Sequence, residues 1–355
     1  MSPTCTITKG ILAGALGMLL CSLPNASQGA EAGPSKEALV FLRSRTAYVA
    51  TVSDANATVR QLSPPEQKVL RLGVCPSAQV AWMLTEGNAE SHAVVAEEGF
   101  EVKLLERTPE LPFDGGIALS PDGKSLAYVA HEEIGLALYC RNLDTGEVQT
   151  LTGNWDALKA PAWSPDGKMI AYYCGKRTDN APDIRLSLRV IDVATGREKE
   201  LAGPSEITRY GGESRYPPIW SPTSDRVFFE ARYEGDGAAG SVYAADVAGE
   251  KKPVPLTTGL CSSISSEGDA LYVADDGAYA VPVSGPERQR TLIAPWPAWF
   301  PKISPSAKMI AYVKHSALYC RFLDNNAEVL VADGYNEDWT GFFWVISSAE
   351  RGKTE

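Results

Sequence analysis

Histidine is scarce in this chain: His92, His131 and His315 are the only three in 355 residues, and no two cysteines stand in C-x-x-C spacing. The residue sets that build most zinc and thiol-redox centres are therefore missing. No G-x-S-x-G occurs either, which removes the nucleophile elbow of an α/β-hydrolase. Positive charge is short as well. Lys and Arg number 33 against 44 Asp and Glu, giving a net charge of −11 with no segregated basic stripe. Such a chain repels a phosphate backbone and an anionic lipid surface, so nucleic acid is not an expected partner. Long apolar runs are limited to Ile11–Leu23, shorter than the roughly 20 residues that a spanning helix needs.

What the N-terminus does hold is the pattern of an export signal. Lys9 supplies positive charge, Ile11–Leu23 the apolar stretch, and Ala30-Glu31-Ala32 an A-x-A cleavage site. Residues 1–32 are thus read as a signal peptide and residues 33–355 as one domain, placed in the periplasm or secreted. An uncleaved N-terminal anchor is the alternative; after cleavage no membrane insertion is expected. Cys21 follows Leu20, whereas a lipoprotein signal has a small residue there. Removing the signal leaves Cys75, Cys140, Cys174, Cys261 and Cys320. Five is odd, so at least one thiol is free. Most stand in strand-like runs, where cysteine behaves as a small buried hydrophobe.

The 31 Gly and 24 Pro point to many turns, and the turns repeat. Ile117–Tyr128, Ala162–Tyr172, Ile219–Phe229 and Ile303–Tyr312 share one pattern: a short apolar run, Ser-Pro with a turn, then a second apolar run. Val74–Trp82 and Ile264–Tyr272 are degenerate copies. The marker positions 76, 121, 165, 222, 266 and 305 are separated by 45, 44, 57, 44 and 39 residues. That is the size of one four-stranded propeller blade, about 40–45 residues. In Ser-Pro-Asp-Gly the proline sets φ, the aspartate bonds nearby backbone, and the glycine takes positive φ. Third and fourth strands follow, joined by polar turns such as Asp144–Glu147 and Ala194–Arg197.

The chain ends bear on the blade count. Ala38–Arg43, Ala47–Val52 and Thr58–Leu62 read as three strands without an innermost one. Gly341–Ser347 reads as a single strand near the C-terminus. Paired, they complete a blade, and the expectation is an all-β, seven-bladed propeller of four-stranded antiparallel blades, with six blades as the alternative.

The pattern W-S-P-D-G-K-x-I-A-Y, clearest at Trp163–Tyr172 with Leu188–Leu201 and at Ser120–Tyr128 with Leu138–Leu151, resembles the TolB-type propeller repeat. Similar repeats occur in the propellers of prolyl oligopeptidase-like and tricorn-like proteases. The resemblance covers essentially all of the mature chain. It departs from TolB in lacking a preceding α/β domain, and from the proteases in lacking a hydrolase domain. It implies a stand-alone, protein-binding propeller of the cell envelope, and fold alone does not name a function.

No catalytic residue, cofactor or metal is expected. His131 and His315 follow equivalent strands of repeats nearly opposite around the ring, so they cannot share a metal; His92 stands in a loop. Asp179, Asp183, Glu234 and Asp236 lack calcium-loop spacing. A polysaccharide lyase of the oligogalacturonate type is the alternative function. Loops are the better place to look. Second-to-third-strand loops and blade-to-blade connections open on one face, and the long ones gather there: 174–184, 203–218 and 232–236. Their Arg177, Arg209, Tyr210, Arg215, Tyr216 and Tyr233 form the Tyr–Arg mixture of binding hot spots. Trp296 and Trp299, in Pro295–Trp299, add an apolar stretch on that face. Trp155, Tyr335 and Trp339 also fall in connections, whereas Trp163 and Trp220 end inner strands and should pack between blades. The reading is a monomeric scaffold binding a protein or peptide partner on its long-loop face.

Overall fold

Each apolar run of the repeat becomes a strand. The computed structural model describes residues 37–63, 68–75, 80–85, 91–95, 101–105, 116–177, 184–203, 217–231, 241–249, 252–284, 289–334 and 341–346. Within them lie seven four-stranded antiparallel sheets and no helix. In chain order, the second runs from Val69–Cys75 to Glu101–Leu105, and the third from Ile117–Leu119 through Ser125–His131 and Leu136–Asn142 to Val148–Trp155. The fourth holds Ala157–Trp163, Met169–Gly175, Ser187–Asp192 and Glu198–Ala202. The fifth holds Ile219–Trp220, Arg226–Ala231, Ser241–Asp246 and Val254–Thr258. The sixth comprises Leu260–Ile264, Ala270–Ala274, Gly277–Pro282 and Thr291–Pro295, and the seventh Trp299–Ile303, Met309–Lys314, Ala317–Phe322 and Glu328–Ala332. The first is made of Glu37–Arg43, Thr46–Val52 and Ala57–Gln61, completed by Phe342–Ile346.

That last strand pairs antiparallel with Glu37–Phe41, Leu39 opposite Trp344. The expected joining of the two chain ends in one sheet is thus observed. Successive sheets touch mainly through their first strands, and the seventh meets the first. This is a propeller.

The turn serine organises each repeat. Ser120, Ser164, Ser221, Ser265 and Ser304 are all buried. In four of them Oγ donates to an aspartate of the same turn, at 2.5–2.7 Å for Asp122, Asp166, Asp225 and Asp269. The same Oγ accepts the N–H that opens the next strand, as from Met169 at 2.9 Å. Gly167 and Gly268 take the positive φ of the turn, 72° and 75°; Ser224 and Ala307 take it where glycine is missing.

Between sheets the indoles tie the innermost strands together. Trp163 Nε1 donates to the Ala118 carbonyl (3.0 Å), Trp220 to Ala162 (2.9 Å) and Trp344 to Lys302 (2.8 Å). Trp163 and Trp220 therefore pack between sheets, as expected. Cys140, Cys174, Cys261 and Cys320 are free, buried thiols on strands. The core is a set of apolar clusters in the seams, such as Tyr173, Leu188, Val190, Trp220, Val227 and Phe229 between the fourth and fifth sheets.

Candidate functional site

Strands alternate in direction, so the second-to-third-strand loops and the sheet-to-sheet connections leave from one face. On that face the third and fourth sheets form a corner. Asn154, at φ 62°, turns the chain out of strand Val148–Trp155. Its Oδ1 accepts the Lys176 ammonium at 2.9 Å, and the Asp156 carboxylate accepts the Arg177 backbone N–H at 2.7 Å. These two bonds hold the root of the long loop against the connection. A Cβ on Gly175 would collide with the Arg185 carbonyl, so only glycine lets the loop return so close to its own root.

Trp155 is the centre of this corner. Its Nε1 donates to Thr152 Oγ1 at 3.2 Å. Lys176 Nζ and the Arg189 guanidinium lie 5.7 and 5.3 Å from the ring, both within cation–π reach. Arg189 is itself fixed by Glu198 and Glu200, at 2.8 and 3.4 Å. The Arg177 side chain is exposed. The arrangement offers an aromatic face with cations around it, suited to packing and charge pairing.

A second aromatic feature stands at the connection from the sixth to the seventh sheet. Trp296 and Trp299 meet edge to face with centroids 4.6 Å apart. Trp296 is 54% exposed, while Trp299 leans on the core beside Phe300 and Met309. The sequence-expected pair is thus brought together, but only one of the two is an exposed apolar surface. Ala298 between them is buried.

Of the remaining expected binding residues, Arg177 sits in the fourth-sheet loop, apart from the tryptophan pair. Arg209, Tyr210, Arg215, Tyr216 and Tyr233 lie outside the described residues, as do Asp179, Asp183, Glu234, Asp236, Tyr335 and Trp339. His131 ends a strand of the third sheet and His315 follows one of the seventh, equivalent positions in separate sheets. Three readings need correction. His92 belongs to strand Ser91–Val95 rather than a loop, because its residues pair with Val80–Leu84. Trp155 closes strand Val148–Trp155, and Trp299 opens strand Trp299–Ile303, so neither is purely connecting. The pairings Leu136 with Trp155 and Trp299 with Val313, each beside a register shift, extend those strands past the expected ends.

Sequence reasoning missed the roles of Lys176 and Arg189, which become visible only when two sheets are side by side. It also missed two half-buried ionisable residues without a counter-charge among the described residues. Lys302, on an innermost strand, donates to the Phe342 carbonyl at 2.8 Å and lies 4.1 Å from the Phe343 ring centre; burial pushes its ammonium down to about 7. Glu230 is half-buried at the seam of the fifth and sixth sheets with its Oε1 sealed from solvent, and desolvation raises its carboxyl to about 8. Both could have been found by aligning the repeats, which places each at an otherwise uncharged position.

No family model matches the chain. Among curated proteins, Dipeptidyl-peptidase 5 of Porphyromonas gingivalis is 28% identical over 139 residues, 36% of this chain and 19% of that protein. The chain therefore spans about a fifth of the length of that relative. Among solved structures, oligogalacturonate lyase in complex with manganese aligns with a TM-score of 0.58 and 15% identity, covering 84% of this chain and 86% of that one. TolB from Acinetobacter baumannii aligns with a TM-score of 0.48 and 16% identity, covering 85% and 78%. At such identities the likeness is one of fold: the chain is an all-β propeller.

Proposed function

We propose that this protein is an exported propeller scaffold, without catalysis, that binds a protein or peptide partner on its long-loop face. Residues 1–32 act in this reading as a cleaved export signal, and residues 33–355 as a single propeller working in the periplasm or outside the cell. The observation that carries it is the aromatic and cationic surface of one face: exposed Trp296 on Trp299, and Trp155 with Lys176 over its ring, followed by exposed Arg177. Tryptophan, tyrosine and arginine are the residues that dominate binding hot spots. Arg209, Tyr210, Arg215, Tyr216 and Tyr233 belong to the same proposed surface.

The test is affinity capture from envelope extract by the mature chain, compared with a variant carrying alanine at Arg177, Arg209, Tyr210, Arg215, Tyr216 and Tyr233. A specific protein retained by the native chain and lost by the variant is the expected result. Equal retention by both would place the binding surface elsewhere. If neither retains a protein, the alternative reading as a polysaccharide lyase is tested on polygalacturonate oligomers, by absorbance of the unsaturated product with and without divalent metal. That alternative rests on the shared fold of oligogalacturonate lyase alone.

A further inference from the structure

Five copies of the repeat can be laid over one another by their turn serines. Nine residues beyond each stand Val129, Tyr173, Glu230, Ala274 and Val313. The four neutral residues are buried. One copy in five therefore puts an acid where the others put part of the core. A residue that breaks the local rule at a buried position marks a function or a strain.

The surroundings of Glu230 explain what that acid experiences. Its carboxyl lies toward the Cys261 backbone of the sixth sheet, whose N–H favours the ionised form less than desolvation disfavours it. One carboxyl oxygen, Oε1, is sealed from solvent and has no hydrogen-bond partner. Phe228, Val242, Leu271, Val273 and Val281 make the same seam apolar. The titratable groups that face it are the Tyr173 hydroxyl from strand Met169–Gly175 and the Cys261 thiol from strand Leu260–Ile264. Its own neighbour strand Ser241–Asp246 sets Val242 opposite it. Among the described residues no Lys, Arg or His compensates it. An ionised carboxylate here sets charge against an apolar seam without a counter-ion, whereas a protonated one is a neutral group with a donor to offer. Burial accordingly holds the carboxyl up to about 8.

We infer that Glu230 is a proton-binding site that makes the seam between the fifth and sixth sheets a pH-operated latch, closed with the carboxyl protonated and loosened when it ionises. Relief of an ionised Glu230 comes from water reaching Oε1, which requires the Cys261 strand to move away. Glu230 is the next-to-last residue of strand Arg226–Ala231, at the end from which the second-to-third-strand connection leaves. The loosening therefore reaches the long-loop face. This inference does not depend on any partner.

Cys261 is a built-in reporter. Its thiol is buried in the seam, while Cys320 is equally buried in the seventh sheet. The folded full chain is labelled with N-ethylmaleimide from pH 6 to 9.5, and the rate at each cysteine is read by peptide mass spectrometry. Dividing the Cys261 rate by the Cys320 rate cancels most of the general reactivity of thiolates with pH. The expected result is a ratio that climbs about tenfold as pH passes 8 in the native chain and stays flat in Glu230→Gln. A flat native ratio overturns the latch, and so does an equal climb in the variant. Should Glu230→Gln lose its circular dichroism signal of folding, Glu230→Val takes its place, valine being the residue of two equivalent positions. The native titration overturns the inference by itself if its ratio does not move.

Discussion

An acid and a base desolvated without counter-charges pull stability in opposite directions as pH changes. Glu230 keeps its proton in the folded chain up to about 8, while in the unfolded chain it releases it near 4.5. Its contribution is complete below 4.5 and is lost as pH rises toward 8. Lys302 releases its proton near 7 when folded and only near 10.5 when unfolded. Its contribution is complete above 10.5 and is lost as pH falls toward 7. The Phe342 carbonyl and the Phe343 ring return part of what its burial costs. Thermal unfolding across pH 4.5–10 should therefore show lowest stability near 7–8. Glu230→Gln should flatten the acid side of that profile and Lys302→Met the alkaline side. A Lys302→Met variant that still gains stability between pH 8 and 10 would assign that rise to another group. Both residues are legible as departures from the repeat, but the sequence does not say what surrounds them.

Elements are joined around the ring by their turns. The Cδ of Pro121 lies 3.8 Å from where a Cβ on Gly167 would sit, and that of Pro222 lies 2.9 Å from the same point on Gly268. The proline of one turn thus nests against the glycine of the next. Both glycines have positive φ, which costs an alanine about 1–2 kcal/mol. At Gly167 that backbone cost is nearly all, because 3.8 Å is ordinary contact. At Gly268 a clash with a rigid proline ring is added. Gly268→Ala should therefore lower the unfolding midpoint clearly more than Gly167→Ala, as measured by thermal denaturation. Equal losses would show that the turns do not bear on one another. Ser-Pro-Asp-Gly was readable as a turn from its residues; that consecutive turns nest was not, since Pro222 and Gly268 are 46 residues apart in sequence.

At the scale of the molecule, closure depends on one short strand. Phe342–Ile346 supplies the innermost strand of the first sheet, and Trp344 repeats the tie made by Trp163 and Trp220. Glu37 reinforces the same seam from the other chain end, accepting the Ser306 N–H at 2.5 Å and its hydroxyl at 2.7 Å. Trp344→Phe removes a single hydrogen bond and should cost about 1–2 kcal/mol, readable in urea denaturation. Deleting residues 342–355 should do far more, leaving strand Glu37–Arg43 with a bare edge and producing aggregation visible by sedimentation. A truncated chain that stays monomeric with native circular dichroism would show the ring to be stable open.

The class of fold was determined by the sequence, because a repeat of Ser-Pro turns flanked by apolar runs can bury those runs only by stacking one four-stranded unit on the next. The role of the two chain ends was also readable, from three strands at one end and one at the other. What stands beside what was decided by the tertiary structure. Trp155 acquires its cations from the neighbouring sheet, and Lys302 finds its carbonyl on the closing strand. Glu230 lies in an apolar seam because residues distant in sequence converge there. Local preference specifies a strand and its turn, but the charge state of a buried group depends on every element packed against it.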